Sequence, residues 1–290
     1  MPTRRNVIDG LVLSLWLPWA ARAGLHHDLD VSLDPDGAGI EVRDTLTLPQ
    51  GHASSLTFSL HPALHIEQSD DNVSLTELTP RSAREPAQSK PSVGIVPRHY
   101  RVDLAAGQNR FTLRYSGTIA HALQSRGEEH ARSFQRTQGM ISPQGVFLSG
   151  ASAWYPEVDH TLISFDLKVR LPDTWKSMSQ GELVDTGSAS VEHWRTLTPQ
   201  QEIYLIAGRF SAWSSVENGI TAMVLLREAD AALAQKYLDS THRYIALYSD
   251  LIGPYPFKKF ALVENFWETG FGMPSFTLLG SHVIRLPFIL

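Results

Sequence analysis

From Leu25 to about Trp213, apolar residues recur at every second position in short runs. Leu29, Val31 and Leu33 alternate with polar neighbours, and Ile40, Val42, Leu46 and Leu48 resume beyond Asp34-Pro35-Asp36-Gly37. A period of two puts successive side chains on opposite faces of a strand, and the Pro and Gly between the runs predict a tight turn. Leu56, Phe58 and Leu60 predict another strand. Tyr100, Val102 and Leu104, then Phe111, Leu113 and Tyr115, flank Ala105-Ala106-Gly107-Gln108-Asn109 and read as a hairpin. Leu162, Phe165, Leu167, Val169 and Leu171 predict a strand with one slip in its alternation, and Ile203 to Phe210 a late one. Ser69 to Arg98, with Pro80, Pro86, Pro91 and Pro97, and the charged stretch His121 to Gln138 read as long solvated loops, the first with one short strand. Many short strands between turns predict a mainly β amino-terminal domain, a sandwich or a saddle-like sheet.

Near Val216 the period changes. Ile220 to Leu226 is strand-like, and Glu228 to Ile252 then repeats at helical spacing. Its broad apolar face carries Leu233, Tyr237, Leu238, Thr241, Tyr244, Ile245, Tyr248, Leu251 and Ile252, and the tyrosines read as core. Glu228 and Asp230 suit the positive end of a helix, and Gly253-Pro254 stops it. A strand over Phe260 to Phe266 follows, then a glycine-rich turn from Glu268 to Ser275, then Phe276 to Leu279 as an edge strand. The change of period divides the chain into a β-rich domain, 24–216, and a second part, 217–290.

Composition narrows the class. The chain has 290 residues, 42% hydrophobic and 19% charged, the balance of a globular protein. A net charge of −5 without a basic stripe argues against nucleic acid as a partner. Cysteine is absent, which excludes disulfides, cysteine nucleophiles and thiolate zinc sites. Arg4-Arg5, the apolar run Val7 to Ala20 and the small-x-small site Ala21-Arg22-Ala23 have the layout of a secretory signal peptide, residues 1–23. The alternative is a membrane anchor, against which Asp9, Pro18 and the shortness of the run argue. The expectation is export to the periplasm or the extracellular space, with no membrane span after cleavage.

Four segments, in this order, carry a resemblance: the run from Tyr100 to Ile119, Ala151-Ser152-Ala153-Trp154-Tyr155-Pro156, Tyr204-Leu205-Ile206-Ala207-Gly208-Arg209-Phe210, and Gly253 to Leu279 with its Gly-Pro-Tyr-Pro turn and Gly270-Phe271-Gly272-Met273. Together they resemble the amino-terminal part of the aminopeptidase N family of gluzincin zinc metallopeptidases. The resemblance implies a β-rich domain followed by the opening of a thermolysin-like α/β catalytic domain. It implies peptides or proteins as substrates, cut by a water that zinc activates.

The chemistry of that family needs His-Glu-x-x-His, two imidazoles one helical turn apart with a glutamate base between them. No such motif occurs among the twelve histidines. His61 and His65 are four apart, but Pro62 follows the first and no Glu separates them; surface or turn positions are the default for every histidine. Zinc is therefore expected in a full-length parent and none in this chain, which is expected to be inactive as given. The reading favoured is a fragment or truncated product, cut before its active site. The competing reading is a non-catalytic exported β-domain that binds peptides or a protein partner.

The same resemblance points to substrate contacts at Gly272, Met273, Pro274 and Ser275. Family members that trim amino-terminal residues carry Gly-x-Met-Glu-Asn on the edge strand, where the Glu holds the substrate ammonium. Pro274 stands in its place here and offers neither charge nor donor. Glu268 is the nearby carboxylate that would substitute. A tight turn before a strand would by itself account for Gly270, Gly272 and Pro274.

Overall fold

The computed structural model describes residues 24–70, 72–79, 95–125, 135–184, 186, 188 and 190–286; the expected signal peptide lies outside them. In chain order the strands are β1 (Leu25–Asp34), β2 (Gly39–Thr47), β3 (Ser55–Leu60), β4 (Leu64–Ser69), β5 (Val73–Leu78), β6 (Arg98–Leu104) and β7 (Arg110–Thr118). There follow β8 (Gln124–Ser125), β9 (Gln135–Arg136), β10 (Met140–Ser142), β11 (Gly145–Leu148), β12 (Ile163–Arg170), β13 (Trp175–Met178), β14 (Glu182–Val184), β15 (Val191–Gln200) and β16 (Leu205–Arg209). The last part holds β17 (Ser211–Glu217), β18 (Ile220–Leu226), helix α1 (Ala231–Ile252), β19 (Lys259–Glu264), β20 (Gly270–Met273), β21 (Phe276–Leu279) and the short helix α2 (Ser281–Ile284).

The expected mainly β amino-terminal domain is present. Seven strands form one sheet in the order β14-β15-β12-β1-β2-β7-β4; β3-β6-β5 and β10-β11-β16-β13 form smaller sheets. β1 and β2 pair as the expected hairpin, but it is Ala38, at φ 54°, and not Gly37 that takes the left-handed angle in the turn. The slip in the alternation around Leu162 corresponds to a register shift between Ile163 and Phe165 against β15.

The run from Tyr100 to Ile119 is not a hairpin. β6 pairs with β3 and β5, whereas β7 pairs with β2 and β4 in the large sheet. The alternation itself agrees with burial: Tyr100, Val102 and Leu104 are buried, as are Phe111, Leu113 and Tyr115. The two apolar faces meet across the core of two sheets instead of lying side by side in one. Trp154 and Tyr155 lock the next segment. The Trp154 indole Nε1 donates to the Ile203 carbonyl (3.1 Å) and the Tyr155 hydroxyl accepts from the Ile203 amide (3.2 Å), so the resemblance segment at Ala151 is tied to the residue directly before the one at Tyr204.

The chain enters a further, five-stranded sheet at β17, directly after Phe210, and the expected division at 216/217 falls within the β17–β18 hairpin. Its order is β17-β18-β19-β21-β20, with β18, β19 and β21 parallel. Helix α1 makes the crossover between β18 and β19. Its cap is Asp230, whose carboxylate accepts from the Leu233 amide (2.9 Å). Ala222, Val224, Leu226 and Leu262 face α1, while Leu225, Ala261, Val263, Phe276 and Leu278 face the β-rich domain and join its core without a break. Parallel strands covered on both faces read as continuous apolar runs, as β18 and β19 do. Phe276–Leu279, expected as the edge, lies inside this sheet; the edge on that side is β20.

Two more expectations need correction. The tyrosines of α1 are not all core: Tyr237 is buried, whereas Tyr244, Tyr248, Leu251 and Ile252 stand exposed, Ile252 at 84%. Nor are the histidines all superficial, since His27, His61, His193 and His242 are buried. Each has a side-chain partner: Asp44, His121, Asp166 and Ser215 respectively.

Candidate substrate cleft

Parallel strands end where backbone and side-chain groups stand free, and open α/β sheets bind ligands outside those carboxyl ends. A cleft of about 490 Å³ lies there, beyond the ends of β18, β19 and β21. Arg227 and Glu228 come from beyond β18, Glu264 from the end of β19, Asn265 to Glu268 from the loop after it, and Ser281 and Arg285 from α2 and its end. The β-rich domain supplies the facing wall with the β10–β11 turn, Pro143-Gln144, and Arg209 at the end of β16.

Glu264, 2% exposed, ties this end together. Its carboxylate receives Arg285 Nη1 at 2.5 Å and the Arg227 amide at 2.8 Å. Burial alone would push its pKa up, but the bonds from Arg285, the Arg227 amide and Ser281 outweigh burial and hold it below the usual range. Glu264 is therefore an ionised strut. Asn265 beside it is buried, and neither its amide nitrogen nor its carbonyl oxygen has a side-chain partner. Glu268 accepts from the His282 amide (3.1 Å) and lies 3.4 Å from the His282 Nδ1. Gly280 permits this approach, because a Cβ there would come within 2.2 Å of the Glu268 Oε2 and 2.7 Å of its Cα. Gly145 does the same across the seam, where a Cβ would meet the Phe266 ring at 2.4 Å.

The expected contact residues fall at two ends of the edge hairpin. Glu268, two residues before β20, borders the cleft. Gly272, exposed, lies along the free edge, and Met273, Pro274 and Ser275 form the far end, because β20 runs antiparallel to β21 with Met273 opposite Phe276. Pro274 is exposed in the turn. Ser275, at φ 67° and buried, is occupied by Lys259, whose ammonium donates to its Oγ (2.8 Å) and its carbonyl (3.3 Å). Glu268 thus borders the opposite end of the sheet from Pro274.

Lys259 was not anticipated. It is 2% exposed, with its ammonium 5.2 Å from the Trp194 ring centre and 5.3 Å from that of Phe276. Burial lowers its pKa to about 7. A period-two reading carried back from Ala261 and Val263 would have placed it inward. Arg227, Asn265 and Arg285 lie at strand and helix ends, which alternation does not reach.

Among the described residues no three His, Asp or Glu side chains converge as a metal-binding group. The nearest approach is His61 to His121, Nε2 to Nε2 at 2.8 Å. His61 Nδ1 accepts from the Ala63 amide, which leaves the hydrogen on Nε2 to donate to His121. Two imidazoles joined in this way do not make the four-coordinate set that zinc takes, so the residues described do not fit a zinc site. His65 stands apart, near Arg98 at 3.5 Å.

No protein-family model matches the chain, and no curated protein matches it by sequence. Solved structures do match its fold. Native yeast leukotriene A4 hydrolase aligns with 90% of this chain at 14% identity and a TM-score of 0.63. An M1 zinc metallopeptidase from Deinococcus radiodurans, solved as a mutant bound to a Tyr-Ser-Ala substrate, aligns with 92% at 15% identity and a TM-score of 0.62. This chain spans 41% of the yeast enzyme and 63% of the bacterial one. At such identities the likeness concerns the fold, which is that of the amino-terminal region of M1 zinc metallopeptidases.

Proposed function

We propose that this chain is the amino-terminal part of an exported, aminopeptidase-like zinc peptidase, contributing the peptide-binding edge while the remainder contributes the metal. The observation that carries this reading is the free edge of β20 leading into a cleft at the carboxyl ends of β18, β19 and β21. An extended peptide adds to such an edge through main-chain hydrogen bonds, with alternate side chains finding pockets. The incomplete cover of α1 supports the same reading. The groove between its exposed half and Pro254, Tyr255, Pro256 and Phe260 measures about 660 Å³ and is mainly apolar. A contiguous apolar groove of this kind suits a contact with another folded part. In the complete enzyme zinc would supply a hydroxide near neutral pH. The residues described here would orient the peptide and exclude water from its edge.

The test is metal content. The dialysed 290-residue chain is expected to retain far less than one zinc, and the chain joined to the coding sequence that follows Leu290 about one per molecule. The coding sequence is expected to contain His-Glu-x-x-His within about 30 residues. A stop codon directly after Leu290 in an intact locus would favour the peptide-binding module instead.

A further inference from the structure

We infer that the cleft at the carboxyl ends of β18, β19 and β21 holds a small zwitterion, a free amino acid or dipeptide, with Glu268 receiving its ammonium and Arg227 its carboxylate. The site is distinct from the β20–β21 turn, where the resemblance would place an amine anchor and where Pro274 offers none. That the zwitterion is an amino acid or a dipeptide rests on the peptidase reading; that it carries both charges does not.

The charges in the cleft select this chemistry. Glu264 and Arg285 neutralise each other. Arg209 points a guanidinium at the Pro143 carbonyl (3.4 Å) and lies over the Trp175 ring at 5.6 Å. Among the described residues the Arg227 and Glu228 side chains have no hydrogen-bond or ion-pair partner, and Glu268 spends only Oε1, on His282. Both signs are therefore left unspent within one cavity. A simple anion drawn to Arg227 would meet Glu228 and Glu268, and a simple cation drawn to Glu268 would meet Arg227 and Arg209. A molecule with a separated ammonium and carboxylate satisfies both.

Asn265 is the second, independent sign. Buried polar groups are nearly always hydrogen-bonded, yet this amide has a donor and an acceptor unspent in a residue that lines the cleft. A carboxamide matches the donor and acceptor of a peptide group. Phe266 and Trp267 give the wall an apolar stretch for a side chain, and the volume falls within the ~300–1,000 Å³ range of small-molecule sites.

The experiment uses the 290-residue chain without zinc. Alanylphenylalanine, its N-acetyl form and its carboxamide are titrated by calorimetry, and the side-chain amide of Asn265 is followed by nitrogen-15 NMR. The expected result is saturable binding of the free dipeptide with a shift at Asn265, weakened about tenfold by either cap, the scale of one charge-assisted hydrogen bond. Arg227→Gln is expected to erase the penalty of amidation alone and Glu268→Gln that of acetylation alone. Both residues lie outside the hydrophobic core, and Gln at 268 keeps an acceptor for the His282 amide. No saturable binding, equal binding of all three ligands, or binding that leaves Asn265 unmoved would overturn the inference. Zinc uptake by the joined chain is measured separately, so either idea can fail without the other.

Discussion

Lys259 carries an ammonium into the seam between the two sheet systems, where Trp194, Phe276 and Ser275 receive it and, among the described residues, no carboxylate does. The rings and the serine return part of the desolvation cost, but the pKa still falls from 10.5 to about 7. Between those values the unfolded chain holds a proton that the folded chain has released, so stability rises with pH across that window. At about pH 6 both states are protonated and the buried charge is carried in full. Lys259→Met is therefore expected to raise unfolding free energy at that pH by an amount on the order of a few kcal/mol, and to flatten its rise towards pH 10, as urea titrations would register. An unchanged pH profile would mean that Lys259 is solvated. His61 adds a second window, since burial, with His121 beside it, lowers its pKa to about 4. Between about pH 6.5 and 4 the unfolded chain again binds the extra proton, so stability falls on acidification, and His61→Gln is expected to blunt that fall. These effects were only partly legible in the sequence. Lys258 and Lys259 are the same residue type side by side, one exposed and one buried, and only the alternation through Ala261 and Val263 separates them.

At the scale of elements, α1 was the most legible feature, because a 22-residue helix repeats its period many times. Its start is set by Asp230 and not by Glu228. Asp230→Ala is expected to cost about 1 kcal/mol in urea unfolding; a loss below a few tenths would show that α1 is held by packing alone. The strands were legible as strands but not as partners. Period two reports which residues face inward, and the burial of Tyr100, Val102, Phe111 and Leu113 agrees, but a turn of the same length joins either neighbours in one sheet or layers of two. The same limit applies to Phe276–Leu279, whose apolar character suits an interior strand as well as an edge. The second half of α1 shows the converse. Its stripe was legible from sequence, whereas its exposure depends on what packs against it.

The two sheet systems share one core, with the five-stranded sheet clasped between the β-rich domain and α1. That arrangement gave the candidate site its place. The glycine-rich stretch drew attention through Gly270 to Ser275, and the free edge it forms is real, but the charged cleft gathers from five separate strand, turn and helix ends. No local motif records such a gathering. In the proposed function this chain holds the peptide-binding edge, and the metal chemistry belongs to the polypeptide beyond Leu290. The most direct measurement of that division is hydrolysis of an aminoacyl reporter by the chain joined to the coding sequence beyond Leu290, beside the 290-residue chain alone. The expected result is turnover by the joined protein that a chelator abolishes and added zinc restores, and none by the shorter chain. Chelator-sensitive turnover by the 290-residue chain, or a joined protein that folds yet neither binds zinc nor cleaves peptides, would contradict it.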